Sequence, residues 1–134
     1  MSARAVYYPF KHESGFFYAG SYLGDKKVLG IGISLDTQDD YKAYGADVFL
    51  DYPLASKDVV TAQFDYTHYD GGDFIAAIPK QDVIFAEAAY YFQDLKIAPF
   101  MQVNYEEMDS DLLNDRLFMQ AGLAYYIKGQ TLNI

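Results

Sequence analysis

Residues 41–70 read YKAYGADVFLDYPLASKDVVTAQFDYTHYD, and their alternation decides the fold. Tyr44, Ala46, Val48, Leu50 and Tyr52 share one parity, while Ala43, Gly45, Asp47, Phe49 and Asp51 share the other. Beyond a short PLASK turn, apolar Val60, Ala62, Phe64 and Tyr66 alternate with Thr61, Gln63, Asp65 and Thr67. Side chains of a strand point to opposite faces with period two, so each half is a strand with one greasy and one wetter face. At roughly a dozen residues apiece, both exceed the usual globular strand of ~5–6. The greasy face carries aromatics at its ends and small or aliphatic residues between them. That is the pattern expected of a strand crossing an outer membrane.

Composition narrows the field. The 134 residues suffice for one domain, and no run approaches the ~18 consecutive apolar residues of a transmembrane helix. With 51% hydrophobic residues and a mean hydropathy of -0.11, apolar and polar positions are interleaved. Fourteen Tyr and ten Phe without any Trp make an aromatic content that interfacial tyrosines would explain, although tyrosine also favours strands in soluble proteins. The net charge of -9 argues against nucleic acid as a partner, since counterion release needs clusters of Lys and Arg. The chain has no cysteine, hence no disulfide framework and no thiol ligand. Its start, MSARAVYYPF, has no apolar stretch of the signal-peptide kind, which suggests a mature chain, an engineered one or a fragment of something longer.

Taken in order, strands are expected at Ala3 to Phe10, Phe16 to Leu23 and Lys27 to Asp36. In the third, Leu29, Ile31, Ile33 and Leu35 oppose Val28, Gly30, Gly32 and Ser34; the glycines leave room or mark a close approach. The two opening strands follow, then a long loop from Asp70 to Gln81 broken by Gly71-Gly72 and Pro79. Asp82 to Phe92 and Leu95 to Glu106 form the next pair, with weak pairing expected at Pro99. After EMDSDLLND, Arg116 to Lys128 alternates again, and a further strand begins before Ile134. Connections after Leu23, Tyr52, Phe92 and Lys128 read as tight; those after Phe10, Asp36, Asp70 and Glu106 read as longer and mostly acidic. Short turns at one end and long loops at the other fit an all-β, antiparallel, up-and-down transmembrane barrel.

In YLGDKKVLGIGISLDTQDDYKAYGADVFLDYPL the chain resembles the phosphate-selective porin O and P family of outer-membrane channels. The pieces carrying it are Tyr22-Leu23-Gly24, Lys26-Lys27-Val28-Leu29, the Gly30/Gly32 pair and Ala46-Asp47-Val48-Phe49-Leu50-Asp51. Tyr69-Asp70-Gly71-Gly72 and Glu87-Ala88-Ala89-Tyr90-Tyr91 add to it. The resemblance implies a sixteen-stranded, usually trimeric porin, of which this chain would supply about eight strands, corresponding to the C-terminal half without the closing strand. It also implies a bacterial outer-membrane location, lipid around the strands, and small hydrophilic solutes or inorganic anions such as phosphate as the permeating species. No arginine ladder of the family's kind can be matched.

The polar parity supplies the candidate pore-lining residues: Asp47, Asp51, Gln63, Asp65, Glu87, Lys96, Gln102, Asn104, Glu106, Arg116, Gln120 and Lys128. Asp47, Asp65 and Glu87 lie mid-strand, where a lipid-facing carboxylate would be destabilising. They should therefore face water and bias permeating ions, or pair across strands with Arg116 or Lys96. No catalytic residue is assigned. His12 and His68 are the only histidines; with Ser14 near the first, hydrolysis on a barrel surface is conceivable, but loop and interface positions explain both. No cofactor is expected. The acidic stretches Asp36 to Asp40 and Asp109 to Asp115 lack the glycine and terminal glutamate of a calcium loop and read as solvated loops. Two other architectures share the alternation: a small eight-stranded structural barrel with a plugged lumen, and a soluble lipocalin-like binder with its apolar face inward.

Overall fold

β-Branched and aromatic residues alternating with small polar ones sort into two sets only on an extended, pleated backbone. The computed structural model describes residues 1–12, 20–109, 113–129 and 132–133, and it is all β. The strands are β1 (Ser2–Tyr7), β2 (Val28–Gln38), β3 (Tyr41–Pro53), β4 (Val59–Asp70), β5 (Gln81–Tyr91), β6 (Ile97–Met108), β7 (Arg116–Lys128) and the two-residue β8 (Leu132–Asn133). They pair antiparallel in chain order in one open, up-and-down sheet. The expected weak point at Pro99 is visible: the β5–β6 ladder runs to Ala89↔Phe100 and resumes at Phe92↔Ile97 in the same register. Proline has no N–H to give there.

Two expectations about connections are corrected. The turn between β2 and β3 is not a long acidic loop: pairing continues to Gln38↔Tyr41, leaving only Asp39 and Asp40, with Asp39 at φ 52°. Asp tolerates this left-handed conformation better than most residues, which lets the ladder run to the end. The expected strand at Phe16 to Leu23 lies partly outside the described residues; Gly20 to Leu23 are not strand. β1 pairs directly with β2, Tyr7 opposite Ile31, so the chain from Tyr7 to Val28 connects the strands at the end that also holds the short β3–β4 and β5–β6 turns. The sorting of loops by length therefore does not hold.

Those two short turns are built alike. Leu54 N donates to Asp58 O at 2.8 Å and Lys57 takes φ 72°; Phe92 N donates to Ile97 O at 2.8 Å and Lys96 takes φ 56°. A left-handed residue closing a short loop lets the hairpin twist with its strands.

The two faces differ in cover. Buried Val28, Ala43, Phe49, Val59, Tyr91 and Ala98 share a face with buried Asp47, Asp51 and Thr61. The opposite face presents Ile31, Ile33, Leu35, Val48, Phe64, Met101, Leu117, Met119 and Leu123, all exposed. A single layer can cover one face only by curling round it or by laying its own loops on it. Both happen here: Leu23 packs on a cluster of Val59, Tyr91 and Ala98, while Arg4 of β1 reaches Asp47 of β3.

Aspartates tie the strand ends together. Asp40, in the β2–β3 turn, accepts the amides of Asp73 (2.5 Å) and Phe74 (2.9 Å) from the β4–β5 loop. Asp58, in the β3–β4 turn, accepts Gln93 N at 3.1 Å, Tyr90 OH at 3.0 Å and Ser56 Oγ at 2.9 Å. In both cases backbone amides, first among the causes, hold the carboxyl below its usual range.

Candidate functional site

The polar face is built by the strand period. On β3 it carries Asp47, Phe49 and Asp51; on β4 Thr61, Gln63 and Asp65; on β5 Phe85, Glu87, Ala89 and Tyr91. β6 adds Phe100, Gln102, Asn104 and Glu106, and β7 adds Arg116, Gln120 and Tyr126. Cross-strand rows follow directly: Gln63, Glu87, Gln102 and Gln120 stand in one line, each opposite the next.

Asp47 and Asp65 face each other across β3 and β4, an arrangement that repulsion disfavours unless something compensates. Compensation comes from two sides. Arg4 Nη2 meets Asp47 Oδ1 at 2.8 Å, and Gln63 Nε2 donates to Asp65 Oδ2 at 2.6 Å. To reach Asp47, Arg4 must cross β2, and it does so where β2 has Gly32. A Cβ at Gly32 would lie within 2.6 Å of Asp47 Oδ1 and closer still to Oδ2. The glycine thus opens a corridor for the ion pair. Gly122 plays a similar part on β7, where an added Cβ would stand 2.6 Å from the ring of Phe100.

Asp51, fully buried, accepts Thr61 Oγ1 at 2.9 Å and Tyr22 N at 3.2 Å, which fastens the connection before β2 onto the polar face. Glu106 meets Arg116 at 3.8 Å near the opposite end. Asn104 sits between Phe85 and Phe118, and its Oδ1 is buried without a hydrogen-bond partner among the described residues. Glu87 borders a cavity of about 330 Å³ whose floor is set low by Ala89, Ala98 and Ala124.

Ten of the twelve residues read as lining from the sequence share this face well inside or along their strands. Lys96 does not: it is an exposed turn residue with positive φ, immediately before the start of β6. Lys128 keeps the right parity but is the exposed last residue of β7. The cross-strand partner of Asp47 is Arg4, neither Arg116 nor Lys96. Arg4 was legible in principle, because Ser2, Arg4 and Val6 alternate with Ala3, Ala5 and Tyr7.

The histidines take no place on the polar face. His12 is exposed in the β1–β2 connection, and Ser14 lies outside the described residues. His68 stands on the apolar face, stacked on Tyr44 with ring centroids 4.7 Å apart. Its Nδ1 lies 2.9 Å from Asp82 Oδ1, which also accepts Tyr66 OH at 2.6 Å. Of the acidic stretches, Asp40 spends its oxygens on backbone amides, and Asp115 accepts Met108 N at 3.0 Å and Tyr105 OH at 3.2 Å. Among the described residues no group of three or more His, Cys, Asp or Glu is placed to hold a metal ion. Comparison with protein-family models, curated proteins and solved structures returned no match to this chain.

Proposed function

We propose that the chain forms wall strands of an outer-membrane β-barrel porin, whose polar face lines a passive path for small hydrophilic solutes and ions. One observation carries this reading: the sheet is inside out by the standard of a water-soluble protein. Asp47 is 5% exposed and Asp51 0%, whereas Ile33 is 63% and Met119 66% exposed. In water this would leave large aliphatic side chains hydrated and carboxylates withdrawn, each unfavourable. Against hydrocarbon the aliphatic face becomes favourable, while the carboxylates are kept off the lipid and are met by Arg4, Thr61 and the Tyr22 amide. A lipocalin-like binder, with its apolar face inward, fits this distribution poorly.

The aromatic positions agree. On the apolar face Tyr44, Tyr66 and Tyr105 stand toward one end, and Tyr52, Tyr90 and Tyr125 toward the other. Tyr44 and Tyr52 are eight positions apart, about 26 Å of strand at ~3.3 Å per residue. At the ~35–45° tilt of such barrels this projects to ~19–22 Å along the membrane normal, a little short of their ~25 Å apolar band. In hydrocarbon the outward edge of β1, and that of β7 over the length the two-residue β8 does not pair, must also be satisfied, which sixteen strands in a trimeric porin would accomplish. The lining is acidic on balance, so an anion preference is left out of the proposal. No chemical step is proposed.

A second reading has its own support. The Gly20 to Leu23 segment lies on the polar face, held by Asp51 and by the Val59 cluster, as a filled eight-stranded structural barrel would require. Conductance separates the two. The protein refolded in detergent is added to planar bilayers, and stable ohmic steps are expected. A β-sheet that refolds, shown by circular dichroism, yet never conducts would refute the porin and leave the filled barrel.

A further inference from the structure

The cavity beside Glu87 has a chemistry that the path reading alone does not use. Its walls bring together one carboxylate, Glu87, the rings of Tyr91, Phe100 and Tyr126, and the polar Thr61 and Ser21. Tyr91 and Tyr126 meet edge to face, with centroids 5.2 Å apart and planes at 80°, so the two rings present different surfaces to the space between the strands. No Lys, Arg or His lines the cavity among the described residues. Glu87 accepts no hydrogen bond and meets no cation among them either, in contrast to Asp47, Asp58 and Asp82, which are all engaged.

A carboxylate withdrawn from bulk water favours a cation, and aromatic rings attract cations through their faces. Compact inorganic cations favour several carboxylate or carbonyl oxygens at once, whereas the side chains here offer one carboxylate and the hydroxyls of Ser21, Thr61, Tyr91 and Tyr126, with Thr61 already donating to Asp51. Alkylammonium groups differ. Their charge is spread over apolar methyl or methylene groups that rings can contact without demanding full hydration. The volume of about 330 Å³ lies at the small end of the ~300–1,000 Å³ that ligand pockets occupy, which suits a ligand of few heavy atoms.

We propose that this cavity is a binding site for small organic cations of the alkylammonium class, with Glu87 as counter-charge and Tyr91, Phe100 and Tyr126 as the aromatic wall. The site rests on the porin reading only for its role, which would be to dwell and pass such cations along the path. Binding itself can be measured without conduction.

The full chain, refolded in detergent with labelled tyrosine rings, is titrated with tetramethylammonium chloride while the ring resonances of Tyr91 and Tyr126 are followed. Parallel titrations use tert-butanol, a neutral molecule of similar shape, and sodium chloride. Saturable shifts are expected with tetramethylammonium alone. Glu87→Gln should weaken the apparent affinity at least about tenfold while leaving the β-sheet spectrum unchanged. Equal response to tert-butanol, equal response to sodium, or unaltered affinity in the Glu87→Gln protein would each overturn the site. Should Glu87→Gln fail to refold, Tyr126→Leu provides the second test, with a matching loss expected and undiminished affinity counting against the proposal. Binding without conductance in bilayers would remove the porin and leave the site; conductance without binding would do the reverse.

Discussion

Replacing Gly32 by alanine is the sharpest test of how the polar face is assembled. The new Cβ would stand within 2.6 Å of Asp47 Oδ1, where ordinary contact begins at about 3.4 Å. The carboxylate must therefore retreat by roughly 1 Å, stretching a 2.8 Å ion pair with Arg4 towards ~3.8 Å. An off-rotamer aspartate costs ~0.5–1.5 kcal/mol. Weakening a charged hydrogen bond costs ~1.5–3 kcal/mol, to be discounted to ~1 because the Arg4 side chain is 41% exposed. Alanine in place of glycine returns ~0.5–1 kcal/mol of chain entropy. The net expectation is a loss of about 0.5–2 kcal/mol, read from urea unfolding in detergent by circular dichroism. The decisive measurement is the double-mutant cycle. In an Asp47→Ala background the obstacle is gone, so Gly32→Ala should be neutral or stabilising by ~0.5–1 kcal/mol. An equal loss in both backgrounds would refute the corridor and place the strain in the backbone of β2.

Two further outcomes follow from features at the strand ends and on the faces. The Asp40 carboxyl is held below its usual range by the Asp73 and Phe74 amides, so the β4–β5 loop gains its full anchoring above the unfolded value of ~3.9 and loses it as pH falls through the lower folded value; protection of those two amides from hydrogen exchange should persist at pH 5 and fade only beneath about pH 3.9, and Asp40→Ala should remove it at every pH. Neighbouring residues on opposite faces should respond oppositely to charge: Val48→Arg, mid-strand on the apolar face, should cost ~2–4 kcal/mol in a bilayer, whereas Gln63→Arg on the polar face should be tolerated, and equal penalties in lipid-based unfolding would contradict the assignment of faces.

Much of this architecture is legible from residue parity. A period of two assigns every residue of β3 and β4 to a face, and the structure keeps those assignments through each neighbouring strand. Ten of the twelve candidate residues fall on the polar face by that alone. Parity carries no information about where a strand stops. Asp36 to Asp40 looked like a loop because acidic residues are rarely strand, yet backbone pairing continues to Gln38 because Asp39 can adopt a left-handed turn. Lys96 failed for the same reason at the other end, its parity being right and its backbone already turning. The Arg4–Asp47 pair was hidden more deeply. It spans 43 positions and depends on the missing side chain of an intervening strand, a three-strand relation that no single alternating run displays.

The end-anchoring aspartates bear on a weakness of alternating sheets. A slip by one residue turns every side chain to the wrong face and is strongly opposed, but a slip by two restores the same faces. Hydrophobic patterning cannot distinguish the native pairing from its even-numbered neighbours. Asp40 and Asp58 can, since each is bound to amides at fixed positions one hairpin further along, from opposite ends of the strands. Sliding β4 by two residues against β3 would carry Asp73 and Phe74 some 6–7 Å from Asp40, at ~3.3 Å per residue. The carboxylates thus act as an index that locks each hairpin to the next as overlapping tiles, counting residues where the greasy pattern can only count faces.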